Sequence, residues 1–282
     1  MSEDTAHRKT PRAVLIRRHS RVTRLTHWLN VLCFCLLLLS GLQIFNAHPA
    51  LYWGQYGADG DPAFLAIGAK RGDDGAQGYI RVGSLTVPTT GVLGVSNVDG
   101  EPTPRAFPDW LTLPSFQDLA LGRRWHFFLA WLFVFNGAVY LTNALFSGHF
   151  RRDLIPRRDQ LSPGHLWREV IDHARLRFPK GDAARHYNAL QKLTYLAVIC
   201  GLLPLMLLTG LTLSPGVNAA LPVLLDLFGG RQSARALHFI CASLLVLFVV
   251  VHLAMVVLSG AWNNLRSMVT GRYAIRPEIR KP

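Results

Sequence analysis

Four stretches of this chain run for about 19 to 23 residues each without a single Asp, Glu, Lys or Arg: 27–45, 125–146, 193–213 and 236–258. A helix rising ~1.5 Å per residue needs about 20 such residues to cross a hydrocarbon layer ~30 Å thick. Buried helices of a soluble core would be shorter and broken by polar faces. The expected fold class is therefore all-α and integral to a membrane: a four-helix transmembrane bundle. The 50% hydrophobic content and mean hydropathy of +0.22 fit that reading, because the apolar residues are concentrated in the four runs.

A net charge of +13 and a pI near 10.3 would ordinarily raise nucleic acid as a partner. Position argues against it. Lys and Arg number 7 in 1–26, 10 in 147–192 and 5 in 259–282, against 6 in 46–124 and 2 in 214–235. That is 22 on one side and 8 on the other, while acidic residues divide 8 against 9. Excess Lys and Arg marks the cytoplasmic face, and acidic residues contribute little to orientation. Both termini are predicted to be cytoplasmic, at a bacterial inner membrane, with the basic charge serving topology and attraction to lipid.

The same boundaries give the organisation. Residues 1–26 form a basic lead-in, and 27–45 are read as a retained anchor rather than a cleaved signal. A long periplasmic loop between helices 1 and 2, 46–124, is rich in Gly and Pro, and its stretch YIRVGSLTV predicts a strand or hairpin. A cytoplasmic loop, 147–192, carries HLWREVIDHARLRF, patterned as a helix lying on the membrane surface. Pro204 should kink helix 3. A short periplasmic loop, 214–235, precedes helix 4, and 259–282 form a cytoplasmic tail. No internal repeat is evident. Cys33, Cys35, Cys200 and Cys241 all lie in the apolar runs, and no C-x-x-C-H for covalent haem attachment occurs.

Four of the eleven histidines fall inside or at the rim of these runs: His27, His126, His238 and His252. Ionisable residues in a span are costly, which makes them functional candidates. Their depths pair them. His27 and His252 lie toward the cytoplasmic side, His126 and His238 toward the periplasmic side. Fourteen positions separate His238 from His252, which is ~21 Å of helix and within about 40° of whole turns. A b-type haem held by two imidazoles needs such a pair, with neutral nitrogens from two helices at one depth. Two pairs imply two haems and an electron path across the membrane. His149 falls ~140° around from His126 and is assigned to the interface. His186 is read as interfacial or close to a quinone, and His7, His19, His48, His165 and His173 as solvent-facing. Haem propionates require cations, for which Arg21 and Arg24 stand beside one pair and Arg123 and Arg124 beside the other. Gly41, Gly137, Gly201 and Gly210 suit either a flat macrocycle against a helix or ordinary helix packing.

RVTRLTHWLN at the first helix, GRRWHFFLAWLFVFNGAVYL at the second, HYNALQKLTYLAV at the third, and His238, His252 and MVTGRY at the fourth resemble the bacterial cytochrome b561 family. These are the di-haem membrane subunits of nickel-iron hydrogenases, formate dehydrogenases and thiosulfate reductases. The resemblance spans roughly 17–45 and 120–275. It implies ligand pairs His27/His252 and His126/His238, and a quinone site whose matching polar cluster here is Asn188, Gln191 and Lys192. The 99 positions between His27 and His126 depart from the hydrogenase and formate dehydrogenase branch. HPALYWG and FPDWLTLP look more like the thiosulfate-reductase type, often paired with molybdopterin enzymes.

The expected function is electron transfer between quinone or quinol and a periplasmic redox subunit, with catalysis residing in that partner. The alternatives are a self-sufficient transmembrane reductase, which would turn over with quinol alone, and a haem-free membrane anchor, which would show no visible absorption.

Overall fold

The computed structural model describes residues 14–58, 60–73, 75–98, 100–177 and 187–275; His7 and His186 lie outside them. In chain order the elements are β1 (Val14–Arg17), α1 (Arg21–Asn46), β2 (Ala50–Leu51), β3 (Leu65–Gly72), β4 (Gly75–Val82), β5 (Leu85–Pro88), β6 (Gly94–Val98), β7 (Glu101–Arg105) and α2 (Leu119–Phe146). There follow α3 (Pro163–Ala174), α4 (Ala189–Leu196), α5 (Leu203–Thr212), α6 (Pro215–Ala220), α7 (Val223–Leu227), α8 (Arg231–Leu258), α9 (Ala261–Thr270) and β8 (Arg272–Ile275).

Among the described residues four helices are long and apolar enough to cross a membrane: Arg21–Asn46, Leu119–Phe146, Ala189–Thr212 and Arg231–Leu258. Between 6% and 22% of the residues in their most apolar windows are buried within the protein, so most of this surface needs lipid to cover it. The chain is an integral membrane protein. Each of the four helices begins four to six residues before its apolar run, and at three of them a polar side chain caps the first turn. Ser20 Oγ accepts from the Thr23 amide at 3.0 Å, and Asp118 Oδ1 accepts from the Leu121 amide at 2.8 Å. Asn188 and Gln191 form a reciprocal capping box on α4. Pro204 produces an adjustment upstream of itself: Ala197–Leu202 are wound as a π-helix between α4 and α5. The wider turn accommodates a residue that has no amide to donate.

The fold comprises two compact units, and each crossing helix contributes to both. The first, within Met1–His27, Tyr140–Val198 and Phe248–Pro282, contains the first and last described strands. Here β1 pairs antiparallel with β8, Val14 opposite Ile275 and Arg17 opposite Arg272. Arg24 Nη1 donates to the Val269 carbonyl at the end of α9. The stretch read as a surface helix forms α3, whose Glu169 carboxylate accepts from the Ala189 amide at 3.1 Å and the Leu190 amide at 2.8 Å. That places negative charge at the amino end of α4, where the helix dipole favours it.

The second unit, Trp28–Val139 and Ile199–Leu247, contains the long loop. The loop is mostly β-structure: a four-stranded antiparallel sheet in the order β2-β3-β4-β5, and a β6-β7 hairpin. The stretch expected to be a strand or hairpin is β4-β5, with Val82 opposite Leu85. Gly78 and Gly94 let the two sheets meet at backbone distance; a Cβ on either would lie 2.1–2.2 Å from a carbonyl oxygen. A cluster of Phe45, Leu51, Ile67 and Ala106, flanked by Phe107 and Phe239, joins the loop to α1 and α8. Polar bonds fix the same junction. Buried Arg105 donates to Gln43 Oε1 at 3.1 Å and to Thr112 Oγ1 at 2.6 Å, while Asn46 and Phe107 exchange two bonds. Burial lowers the Arg105 pKa, and Asp109 partly offsets this.

Candidate metal centre: two histidine pairs

In the loop-bearing unit His126 of α2 meets His238 of α8, ring centroids 6.2 Å apart and planes at 65°. An iron between two imidazoles requires metal–nitrogen bonds of ~2 Å on each side plus a ring radius of roughly 1 Å each, or roughly 6 Å between ring centres. The spacing fits. Each Nδ1 has a hydroxyl neighbour: Ser40 Oγ lies 3.0 Å from His126, and Thr209 Oγ1 lies 3.1 Å from His238. Gly41 and Gly210, beside those hydroxyls, let the rings lie close against α1 and α5. A Cβ at Gly41 would come within 3.4 Å of His126 Cε1, and one at Gly210 within 3.2 Å of His238 Cε1. These glycines thus serve the imidazoles. Gly137 and Gly201 have nothing within 4 Å of a built Cβ.

In the terminal unit His27 of α1 and His252 of α8 are within electrostatic reach of each other, and Phe248 stacks on His252 at 5.9 Å and 23°. Among the described residues no three His, Cys, Asp or Glu side chains converge to hold a metal. Two imidazoles suffice where a macrocycle supplies four further nitrogens, as in haem.

The four predicted propionate cations are differently disposed. Arg24 is engaged with the Val269 carbonyl, Arg21 and Arg124 are exposed, and Arg123 lies 5.8 Å over the Phe127 ring. The sequence reading passed over Arg235, one turn before His238. Its guanidinium donates to the Ala50 carbonyl at 2.8 Å and to the His48 carbonyl, and lies over Phe45. An Arg three residues ahead of a spanning His, on the same helical face, was the available signal.

Of the three residues matched to a quinone site, Lys192 lines a cavity. Asn188 and Gln191 bind each other in the capping box, and Asn188 Nδ2 also lies 3.3 Å from His173 Nε2. The cavity, about 200 Å³, is lined by Arg17, Arg18, His149, Arg152, Asp153, Tyr187 and Lys192 together with Ile16. Lys192 is 7% exposed, and among the described residues its Nζ meets Gln160 Oε1 at 3.4 Å and the Ile155 carbonyl at 3.5 Å. Among the described residues it has no carboxylate at ion-pair distance. His149 Nδ1 meets Asp153 Oδ2 at 2.7 Å. Burial pushes the Asp153 carboxyl up, but bonds from Arg152 and His149 outweigh it and hold the group below its usual range. His19, expected to face solvent, is half-buried beside these cations. Burial, then Arg18, His149, His27 and Arg24, lower its pKa to about 4.

The sequence profile described as prokaryotic cytochrome b561 matches residues 18–271. A protein of Azospira oryzae is 30% identical over 240 residues, covering 85% of this chain and 90% of its own length. Its provisional name is protein-methionine-sulfoxide reductase subunit YedZ1. No solved structure matches.

Proposed function

The chain belongs to the prokaryotic cytochrome b561 family of membrane haem proteins, and from that premise we propose that it is a di-haem electron carrier between the quinone pool and a reductase subunit. His126 and His238 hold one b-type haem, and His27 and His252 the other. The observation that carries this reading is the 6.2 Å spacing of the His126 and His238 rings, which suits one iron between them. When bound, haem supplies reversible one-electron chemistry. The ring nitrogens of these histidines would hold it, and the hydroxyls beside them would orient the rings. His238 and His252 stand fourteen residues apart on α8, so one helix carries a histidine of each pair.

The proposed quinone site is the cavity at Lys192. Among the described residues no carboxylate pairs with the buried Lys192 ammonium, which is costly, and a quinone carbonyl oxygen would accept from it. Oxidation of quinol releases two protons along with two electrons, and the His149–Asp153 pair lines the same cavity as a proton acceptor. Charge asymmetry supports cytoplasmic termini at a bacterial inner membrane, which puts the folded loop, 46–124, on the periplasmic side for a partner to dock. The relative's name, a methionine sulfoxide reductase subunit, supports a catalytic reductase as that partner, and a molybdopterin enzyme fits the role.

The test is haem stoichiometry by pyridine haemochrome on purified protein. Two haems per wild-type chain are expected, and one each in His238→Ala and His252→Ala. A wild-type protein with one haem or none, or either variant retaining two, overturns the assignment.

A further inference from the structure

We propose that Ser40 and Thr209 are positioning residues that lock both axial imidazoles of one haem in the same tautomer and hold its reduction potential down. The proposal rests on the reading that His126 and His238 share an iron, and goes beyond it in assigning how that iron is tuned.

The argument starts from hydroxyl bookkeeping. A serine or threonine hydroxyl has one hydrogen to donate and lone pairs to accept with. Ser40 Oγ gives its hydrogen to the Leu36 and Leu37 carbonyls, at 2.9 and 3.1 Å. Thr209 Oγ1 gives its own to Leu205 and Met206, at 2.7 and 3.1 Å. Toward the imidazoles each oxygen can therefore only accept. Both rings thus carry their hydrogen on Nδ1, which leaves Nε2 as a bare lone pair, the form that ligates iron. Ser40 and Thr209 are both 0% exposed, so water does not substitute for either oxygen.

Such a bond has an electronic consequence. An imidazole that donates from Nδ1 is a stronger donor through Nε2, and a stronger donor favours ferric over ferrous iron. With one acceptor behind each ligand the two effects act on the same metal. The local sequences around the two hydroxyls are alike: Leu38-Leu39-Ser40-Gly41-Leu42 on α1 and Leu207-Leu208-Thr209-Gly210-Leu211 on α5. In each, the hydroxyl takes the Nδ1 hydrogen and the glycine lets the ring approach. Neither helix supplies a ligand to this pair, so α1 and α5 act on it only as support.

The experiment is potentiometric titration of the full-length protein in detergent, with ferric EPR, for Ser40→Ala, Thr209→Val, the double variant and Thr209→Ser. One haem is expected to become easier to reduce. In the double variant its ferrous/ferric equilibrium should shift about tenfold, or ~59 mV for one electron. The single variants should be intermediate, the other haem unmoved, and Thr209→Ser close to wild type. If a variant binds haem poorly, the potential is read on the fraction retained. Unchanged potentials and EPR lines, or Thr209→Ser behaving like Thr209→Val, overturn the proposal. A wild-type protein whose spectrum ignores His126→Ala and His238→Ala would instead overturn the ligand assignment beneath it.

Discussion

Gly210 is the position where one methyl group interrogates the His126–His238 centre. A Cβ there would stand 3.2 Å from His238 Cε1 and 3.6 Å from Nδ1, whereas relaxed contact begins near 3.4 Å. In Gly210→Ala the ring must retreat by a few tenths of an ångström, within the ~0.5 Å that a preorganised site tolerates. Overpacking of this kind costs about 1 kcal/mol at its low end, which corresponds to roughly fivefold weaker haem retention. Gly210→Leu adds carbons that a shift of this size cannot clear. The ring is displaced beyond tolerance, and the haem count should fall from two per chain to one. Gly41→Ala, whose Cβ meets His126 Cε1 at 3.4 Å, is in ordinary contact and should be mild; Gly216→Ala, with nothing within 4 Å, is the control. The assay is pyridine haemochrome per chain, plus the rate of haem transfer to apomyoglobin. Two haems with unaltered transfer rate in Gly210→Leu would refute the reasoning.

Two further outcomes are expected. Lys192→Met should slow haem reduction by quinol at least tenfold while leaving reduction by dithionite unchanged, and should not lower the melting temperature, because it removes a buried charge that has no carboxylate partner among the described residues; an unchanged quinol rate removes the cavity from the quinone reading. His19, with a folded pKa of about 4 against an ordinary value near 6.5, makes no pH-dependent contribution above ~6.5, where folded and unfolded chains are both neutral. Between ~6.5 and 4 the unfolded chain binds the extra proton, so stability should fall with pH by on the order of 1–3 kcal/mol and level off below, discounted for partial solvent screening. His19→Gln should abolish that slope in detergent melts, and a wild-type slope retained by the variant excludes His19 as its source.

The four spanning helices and four histidines were legible because they break a strong local rule: apolar runs of that length leave few alternatives, and an ionisable ring within one stands out. The hydroxyl supports were not. A serine or threonine in an apolar helix ordinarily satisfies itself on the carbonyl four residues back, and Ser40 and Thr209 do so. Only the fold reveals the second partner on the remaining lone pairs. Arg235 was hidden by the charge count, which assigned it to a loop, although α8 begins four residues earlier at Arg231. In the long loop β4-β5 alternated visibly, while β7 carries Pro102 and Pro104 and reads poorly as a strand. It has one partner, β6, and so tolerates residues that cannot donate. Conversely, Asn188-x-x-Gln191 was readable from the start as a capping box rather than as free polar groups.

Division of labour among the helices follows from these placements. α1 carries His27 for one centre and, thirteen residues on, Ser40 in support of the other; α8 carries His252 and His238 at nearly the same spacing. α2 contributes His126, and α5 contributes Thr209, to one centre alone. Lipid-facing apolar surface gives little force that prefers one helix register over another, since lipid and leucine are alike apolar. Buried polar contacts are what discriminate between registers. The bonds Ser40–His126 and Thr209–His238 tie α1 to α2 and α5 to α8, each pinning a helix against its neighbour at the depth where the imidazoles must meet. The hydroxyls proposed to tune the metal are thus also the groups that set the height of the imidazoles, and a similar pentapeptide, Ser in one and Thr in the other, stands on both supporting helices.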